Sequence, residues 1–388
     1  MKIFEKMIKE ELNRVEVRPD SVPFPEAEWL VEIMKKEGHE KVYLIAYPEI
    51  KLRAVIAVHN RSVSPQTLGG IRMFNYSDEK EAIFDALRLS KAMTYKSAMA
   101  EVQKGGGKSV IWGDSKEDKT KLLLQKFADQ INTLQGEYIG GEDMNISEQD
   151  VQTMKEKTPF VAGLPENFSQ GKLRGSGNPA PLTAQGVVYG MKACLLFLNM
   201  GSLKDKVVAV QGLGKVGYSL VDFLCQEGVK QIIATDIDPD KVTCLRETFK
   251  GKKVKEVSCE EIFSEECDIF APCARGEVLN KKTIPLLKCK IIAGAANNQL
   301  EDNADGKLLL EKGILYAPDY VINAGGVINV DDELHPDGYD KLRVLKKMEI
   351  IPSNLMRIFW YSERLKMPAN LVADMLAEEK IWLAQILK

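Results

Sequence analysis

The chain has 388 residues, 45% of them hydrophobic and 28% charged, with a formal net charge of -3. That length suits two domains better than one core, and the composition is that of an ordinary globular protein. The balanced charge argues against nucleic acid as a partner, no apolar run approaches the roughly 20 residues that cross a bilayer, and Met1 to Lys6 mixes both charge signs, unlike a signal peptide; a cytoplasmic protein is expected.

The first region alternates strand-like and helix-like segments. Residues 42–47 and 53–59 read as neighbouring strands joined by a turn near Pro48. Residues 78–92 read as a helix capped at Ser77-Asp78, with Ala82, Ile83, Ala86, Leu87, Leu89 and Met93 as its buried stripe. A strand over 109–112, a helix over about 119–134 and a strand at 138–139 follow, leading into Gly140-Gly141-Glu142-Asp143. The stretch 164–181, rich in Pro and Gly, has the composition of a linker or hinge. Beyond it, strands are expected at 207–210, 231–235, 268–271, 290–293 and 316–320, mostly separated by helices, which implies a parallel, doubly wound sheet. Residues 342–387 read as two helices broken near Pro368.

The seven cysteines, Cys194 to Cys289, are odd in number and include no Cys-x-x-Cys, which argues against a disulfide framework and a zinc ribbon. The three histidines are scattered, and no metal site is expected.

Gly212-Leu213-Gly214-Lys215-Val216-Gly217 follows the strand 207–210 and opens a helix. This is G-x-G-x-x-G in the context that gives it meaning. The first glycine makes the turn, the second admits a pyrophosphate, and the third lets helix and strand pack closely. The anion would sit at the helix N-terminus, where free N–H groups and the dipole favour it. A ribose-binding carboxylate is expected about 20 residues further on, and Asp236 ends the next strand there. An acid at that place favours NAD over NADP, because it binds a 2′-hydroxyl and repels a 2′-phosphate.

Two lysines stand behind distinctive motifs. Lys96 closes Met93-Thr94-Tyr95-Lys96, and Lys108 closes Gly105-Gly106-Gly107-Lys108. Three glycines permit unusual backbone geometry and close approach of a substrate. A desolvated lysine beside a second cation has a lowered pKa and can serve as a general base, while the other ammonium holds a carboxylate. Chemistry at the α-carbon of an amino acid needs both.

Leu68-Gly69-Gly70-Ile71-Arg72-Met73, the two lysine motifs and Glu142-Asp143 precede the nucleotide region. Ala295-Ala296-Asn297-Asn298-Gln299-Leu300 and Val321 to Val330, with Asn323-Ala324-Gly325-Gly326-Val327 inside it, follow. In order and spacing these segments resemble the glutamate/leucine/phenylalanine/valine dehydrogenase superfamily, from about Glu37 to the C-terminus, and within it most resemble the leucine dehydrogenases. The resemblance implies NAD-dependent, reversible oxidative deamination of an L-amino acid to a 2-oxo acid and ammonia. By the same likeness Lys96 holds the α-carboxylate, Lys108 is the general base and Asp143 moves protons on the amino nitrogen. Asn323 helps to hold the substrate, with Gly69 and Gly70 beside it, and Asn297 lies near the nicotinamide.

Glutamate-specific relatives carry a lysine and a serine where this chain has Leu68 and Val330. Burying a γ-carboxylate against these two would cost several kcal/mol with no partner, so glutamate is disfavoured. With Val327 they form an apolar pocket for leucine, valine or isoleucine. Gly141 departs from the leucine-type pattern, where alanine is usual, and keeps an aromatic substrate as the alternative. A catalytically silent NAD-binding regulator is the alternative from another class, disfavoured by the presence of Lys96, Lys108 and Asp143. The expected architecture is two α/β domains separated by a cleft. Residues 1–165 form the substrate domain, 166–361 a Rossmann-type NAD domain, and the C-terminal helix 362–388 returns to the first. Family members are homo-oligomers, with octamers among the leucine enzymes. Residues 166–174 and the N-terminal segment to about Lys36 are longer than the family pattern.

Overall fold

The computed structural model describes residues 2–249 and 254–387. The chain forms two compact units. The first holds the described chain up to Asn178, then Val330–Asp340 and the end from Lys380; the second holds Pro179–Asn329 and Lys341–Glu379.

The first unit is built on a six-stranded sheet. Its strands are β1 (Arg14–Val17), β2 (Lys41–Tyr47), β3 (Leu52–Asn60), β4 (Thr67–Phe74), β5 (Gly105–Trp112) and β6 (Tyr138–Gly141), in spatial order β1-β2-β3-β5-β4-β6. β1 to β3 and β5 pair antiparallel, whereas β4 is parallel to both β5 and β6. Alternation along the strands separates two cores. Val42, Leu44, Val55, Ala57 and Val110 face the helix Glu79–Met99, while Tyr43, Ile45, Ala54, Ile56, Ile71 and Ile111 face the helices Lys121–Thr133 and Glu148–Lys155.

The N-terminal extension belongs to this fold. Its helix Ile3–Lys9 buries Ile3, Phe4 and Met7, and the Glu79 carboxylate accepts from the N–H groups of Ile3 (2.8 Å) and Phe4 (3.1 Å). That carboxylate satisfies donors that the first turn of a helix leaves open. The added strand β1 covers the edge of β2. In the longer 166–174 stretch, β7 (Ser169–Gln170) and β8 (Leu173–Arg174) form a short hairpin.

The second unit carries a wholly parallel sheet. β9 (Val207–Gln211), β10 (Gln231–Thr235), β11 (Val254–Glu256), β12 (Ile269–Pro272), β13 (Ile291–Ile292) and β14 (Leu315–Tyr316) lie in the order β11-β10-β9-β12-β13-β14. The order reverses direction at β9, the doubly wound topology whose ligand site lies at the carboxyl ends of the strands beside that reversal. The two-domain α/β architecture is thus as the sequence implies.

Local differences have physical reasons. The helix capped by Asp78 runs to Met99 and includes the whole Met93–Lys96 motif. Gly105–Gly107 lie within β5 rather than before it. The strand expected at 316–320 stops at Tyr316, and a helix Asp319–Ile322 follows Pro318, whose fixed φ suits a helix entry. After Lys341 there are three helices, Lys341–Lys347, Ile350–Leu365 and Ala369–Ile386, with the break at Pro368 as expected.

Candidate active site

β4, β5 and β6 share a glycine-rich surface under the helix Glu79–Met99. Direct pairing of Leu68 with Gly106 and of Gly70 with Gly141 puts Leu68, Gly70, Arg72, Gly106, Lys108 and Gly141 on one face. None of Gly105, Gly106 and Gly107 has a positive φ. Their small size, not unusual backbone geometry, is what the fold uses. A Cβ on Gly106 would lie 2.1 Å from Thr94 Oγ1 and 2.4 Å from the Ser90 carbonyl, and one on Gly107 would lie 2.7 Å from the Tyr138 ring. Gly106 therefore lets helix and strand touch, and Gly107 makes room for Tyr138 on the opposite face. Thr94 Oγ1 is in turn 2.8 Å from His59 Nδ1, and burial pushes that imidazole down to about 3, so the ring is neutral.

Lys108 emerges from this packed floor and is 5% exposed. Its Nζ donates to Asp143 Oδ2 at 2.8 Å. Arg72 Nε donates to the same oxygen at 2.9 Å, and Arg72 also binds Asp85 at 3.0 Å. Asp85 accepts from the Tyr76 hydroxyl at 2.5 Å and pairs with Arg88 at 2.7 Å. The Gly70 position is filled by the site itself, because a Cβ there would stand 2.7 Å from Asp143 Cβ and 2.8 Å from Lys108 Nζ.

The electrostatics follow from this arrangement. Burial lowers the Lys108 pKa, Asp143 opposes that effect, and Arg72 adds to it. Burial alone would raise the Asp143 carboxyl, yet Lys108 and Arg72 bring it to about 2. The site thus holds a firmly ionised carboxylate against an ammonium that gives up its proton more readily than an ordinary lysine. The cation that lowers Lys108 is Arg72. Sequence reasoning assigns no role to Arg72, Asp85 or Tyr76, and only the position of Arg72 beside the Gly69-Gly70 pair marked it in the sequence.

Lys96 is partly buried in the last turn of the helix Glu79–Met99. Leu68 is buried, and Gly69 packs so closely on the Gly107 carbonyl that a Cβ would lie 1.7 Å from it. Gly141 is different: within 4 Å its Cβ would meet only the Ala162 carbonyl oxygen, at 3.3 Å. Val330 Cγ2 lies 3.9 Å from the Cβ position of Gly163, which is itself 3.7 Å from the Glu142 nitrogen. A buried carboxylate fixes this corner. Glu333 Oε2 accepts from the N–H groups of Gly163, Leu164 and Ser176 and from the Ser176 hydroxyl, at 2.8–3.1 Å. Burial raises its pKa and these donors oppose the rise.

In the second unit the helix Lys215–Gln226 starts at Gly214 with no side-chain cap, which leaves N–H groups open for an anion. Gly212 has φ +96°, a turn conformation that side chains other than glycine's rarely adopt, and a Cβ on Gly217 would lie 1.9 Å from the Gly212 carbonyl oxygen. A Cβ on Gly214 would meet nothing within 4 Å, so the turn is open on that side. Lys215 and Val216 are the first two helical residues. Asp236 accepts from the Leu213 N–H at 2.6 Å through one oxygen and from Asp238 N–H at 3.0 Å through the other. Lys241 Nζ also lies 3.4 Å from that second oxygen, and the oxygen that accepts from Leu213 has room for another bond. Asn323 donates to Asn297 Oδ1 at 2.8 Å and to the Ala295 carbonyl at 3.0 Å, and its buried Oδ1 has no hydrogen-bond partner. Val327 lies in the helix Gly325–Asp332 and is partly buried. The open turn, free N–H groups and carboxylate fit a dinucleotide. Among the described residues no cluster of metal-ligating side chains occurs, and no helix is long and apolar enough to cross a membrane.

Known proteins resemble the chain along most of its length. Residues 45–161 match the Glu/Leu/Phe/Val dehydrogenase dimerisation domain, and residues 175–386 match the Glutamate/Leucine/Phenylalanine/Valine dehydrogenase family. The chain is 44% identical over 353 residues to leucine dehydrogenase from Thermoactinomyces intermedius, covering 91% of this chain and 93% of that one. It is 42% identical over 347 residues to phenylalanine dehydrogenase from Caldalkalibacillus thermarum, covering 88% and 91%. Among solved structures it is similar to L-tryptophan dehydrogenase from Nostoc punctiforme, with a TM-score of 0.76, 39% identity and coverage of 92% and 99%. With family models over most of its length and relatives at 42–44% identity over about nine-tenths of it, the chain belongs to the glutamate/leucine/phenylalanine/valine dehydrogenase family.

Proposed function

We propose that this protein catalyses the NAD-dependent, reversible oxidative deamination of a branched-chain L-amino acid, leucine with valine and isoleucine, to the 2-oxo acid and ammonia. The observation that carries the reaction is the buried Lys108 held on Asp143 at 2.8 Å beside Arg72. Similarity to leucine dehydrogenases and the apolar Leu68 and Val330 support the substrate class.

In this reading the first unit is the substrate domain and the second the nucleotide domain. Gly212, Gly214, Gly217 and the start of the helix at Lys215 hold the pyrophosphate, and Asp236 takes the ribose hydroxyls. NAD, when bound, supplies the acceptor for the α-hydrogen as hydride. Lys96 fixes the α-carboxylate by charge. Neutral Lys108 takes the proton of the water that adds to the α-carbon, and its lowered pKa is what makes that form accessible. Asp143 delivers and removes protons at the amino nitrogen as the adduct collapses. Arg72 holds Asp143 ionised and opposes protonation of Lys108. Asn323 and Asn297 orient the reacting end. A homo-oligomer working in the cytoplasm goes with this reading.

An aromatic substrate is the second reading, motivated by the open space at Gly141. Amino-acid-dependent NADH formation across leucine, valine, isoleucine, phenylalanine and tryptophan tests both. Higher kcat/KM for the branched-chain group is expected, and a clear aromatic preference would overturn it. Absence of turnover with all five would favour a silent NAD-binding regulator.

A further inference from the structure

Cys267 and Cys289 lie outside both sites and have no part in the chemistry above. They stand at the entries to the adjacent parallel strands β12 and β13, whose register pairs Ile269 with Ile291. Just before that pair, the N–H groups of Lys290 and Ile291 both donate to the Asp268 carbonyl at 3.1 Å, so the residues preceding Asp268 and Lys290 lie side by side. Both cysteines pack on the same core, around Phe270 and Ile292. Neighbouring strands run about 4.8 Å apart, inside the roughly 4.4–6.8 Å Cα separation of a disulfide. The thiols are free, Cys289 is buried and Cys267 is partly open to solvent.

We propose that Cys267 and Cys289 are a modification site that closes to a reversible disulfide on reaction with hydrogen peroxide. The Cys267 thiol meets the peroxide first, because it is partly open to solvent whereas Cys289 is buried. The Cys267 thiolate attacks one peroxide oxygen, the O–O bond breaks, and the departing hydroxide takes up a proton to leave as water. The Cys289 sulfur then attacks the resulting sulfenic acid, the S–O bond breaks, and a second water leaves with the thiol proton. Two thiols and one peroxide give one disulfide and two waters; sulfur is oxidised and peroxide reduced. The bond would tie β12 to β13, and β12 continues into Cys273 and Ala274, against which the Gly212 turn packs. A disulfide of this kind is a redox response rather than a fold staple. It does not depend on which amino acid the enzyme takes.

The test uses the full-length reduced protein, exposed to hydrogen peroxide, alkylated after denaturation and mapped by mass spectrometry. The expected product is a Cys267–Cys289 peptide pair lighter by two hydrogens that disappears on treatment with dithiothreitol. In Cys289→Ser the sulfenic acid at Cys267 has no partner and is captured by a dimedone probe. In Cys267→Ser the cross-link is lost. Recovery of both cysteines as alkylated thiols under peroxide that oxidises the exposed Cys244 would overturn the proposal. So would cross-links scattered among the other cysteines.

Discussion

Two regions of this molecule handle charge by opposite means. In the first unit the charges are side chains: Asp85, Arg72, Asp143 and Lys108 alternate in sign and are joined at 2.8–3.0 Å. Each member sets the protonation of the next, and burial makes the coupling strong. In the second unit the turn at Gly212–Gly217 offers backbone N–H groups, with Asp236 as the neighbouring carboxylate. Backbone donors cannot titrate, so that site recognises an anion without changing protonation. The difference suits a division of labour in which one region moves protons and the other only holds a ligand. It also predicts that substitutions in the two regions fail in different ways.

The largest effect is expected at Lys108. Lys108→Ala removes the proposed general base and should lower kcat/KM for deamination by about a hundred- to ten-thousand-fold. NADH affinity, read by fluorescence titration, should stay unchanged, because the glycine turn lies in the other unit. Equal loss of both would break the division of labour, and full turnover would remove Lys108 from the mechanism.

Asp143→Asn and Arg72→Met probe the same coupling with opposite signs. Below its pKa the neutral fraction of Lys108 grows tenfold per pH unit, so the deamination rate should climb with pH to a plateau below the 10.5 of an ordinary lysine. Asp143 raises the Lys108 pKa, and Asp143→Asn should therefore move the rise to lower pH while cutting the plateau through loss of the proposed proton carrier. Arg72 lowers it, and Arg72→Met should move the rise to higher pH, at a cost of about tenfold in rate at fixed pH for each unit. Profiles of kcat/KM for both variants check this. Shifts in the same direction would show that the charges do not act on Lys108 as the geometry implies.

The two regions were unequally legible in the sequence. The nucleotide turn is a contiguous motif between a strand and a helix, so Gly212, Gly214, Gly217 and Asp236 could be read from spacing. The proton site is assembled from β4, β5, the end of β6 and the helix Glu79–Met99, brought together only by the sheet. Lys108 was marked by its glycine motif, whereas Asp143 was reached through family likeness. Arg72 stands beside the Gly69-Gly70 pair without a role of its own, and nothing in the local sequence separates Asp85 from a surface charge. The same limit applies to Glu333, whose four donors come from Gly163, Leu164 and Ser176, far away along the chain. The glycines of β5 carried a signal whose reason differed from the one read. Their Cβ positions are occupied by Thr94, Thr67 and Tyr138, so they serve the packing of the floor and not the approach of a substrate.

A smaller effect is expected in the nucleotide region. Asp236→Asn removes the charge that opposes a 2′-phosphate, while its side-chain oxygen can still accept from Leu213 N–H. The ratio of kcat/KM for NAD to that for NADP should fall by about ten- to a hundredfold, the scale of one charge-assisted hydrogen bond. The pH profile should not move, which separates this region from the proton site. A profile that shifts with Asp236→Asn would mean that the two regions are coupled electrically after all.

The smallest effect is expected at Gly141, where the comparison becomes one of shape. Gly141 is paired with Gly70 and stands on the face that carries Lys108, yet its Cβ position is open apart from the Ala162 carbonyl oxygen at 3.3 Å. In Gly141→Ala that oxygen must yield by only a few tenths of an ångström, so the fold should survive. The added methyl should then shorten the space available to a substrate side chain. One methyl in an apolar pocket is worth about 1–3 kcal/mol of discrimination. Relative kcat/KM should shift toward valine and leucine and away from phenylalanine and tryptophan by about ten- to a hundredfold. The pH dependence should stay that of the parent, because no charge has changed. An unchanged substrate ratio would move the specificity determinant away from β6 and toward Leu68 and the Glu333-fixed corner at Val330.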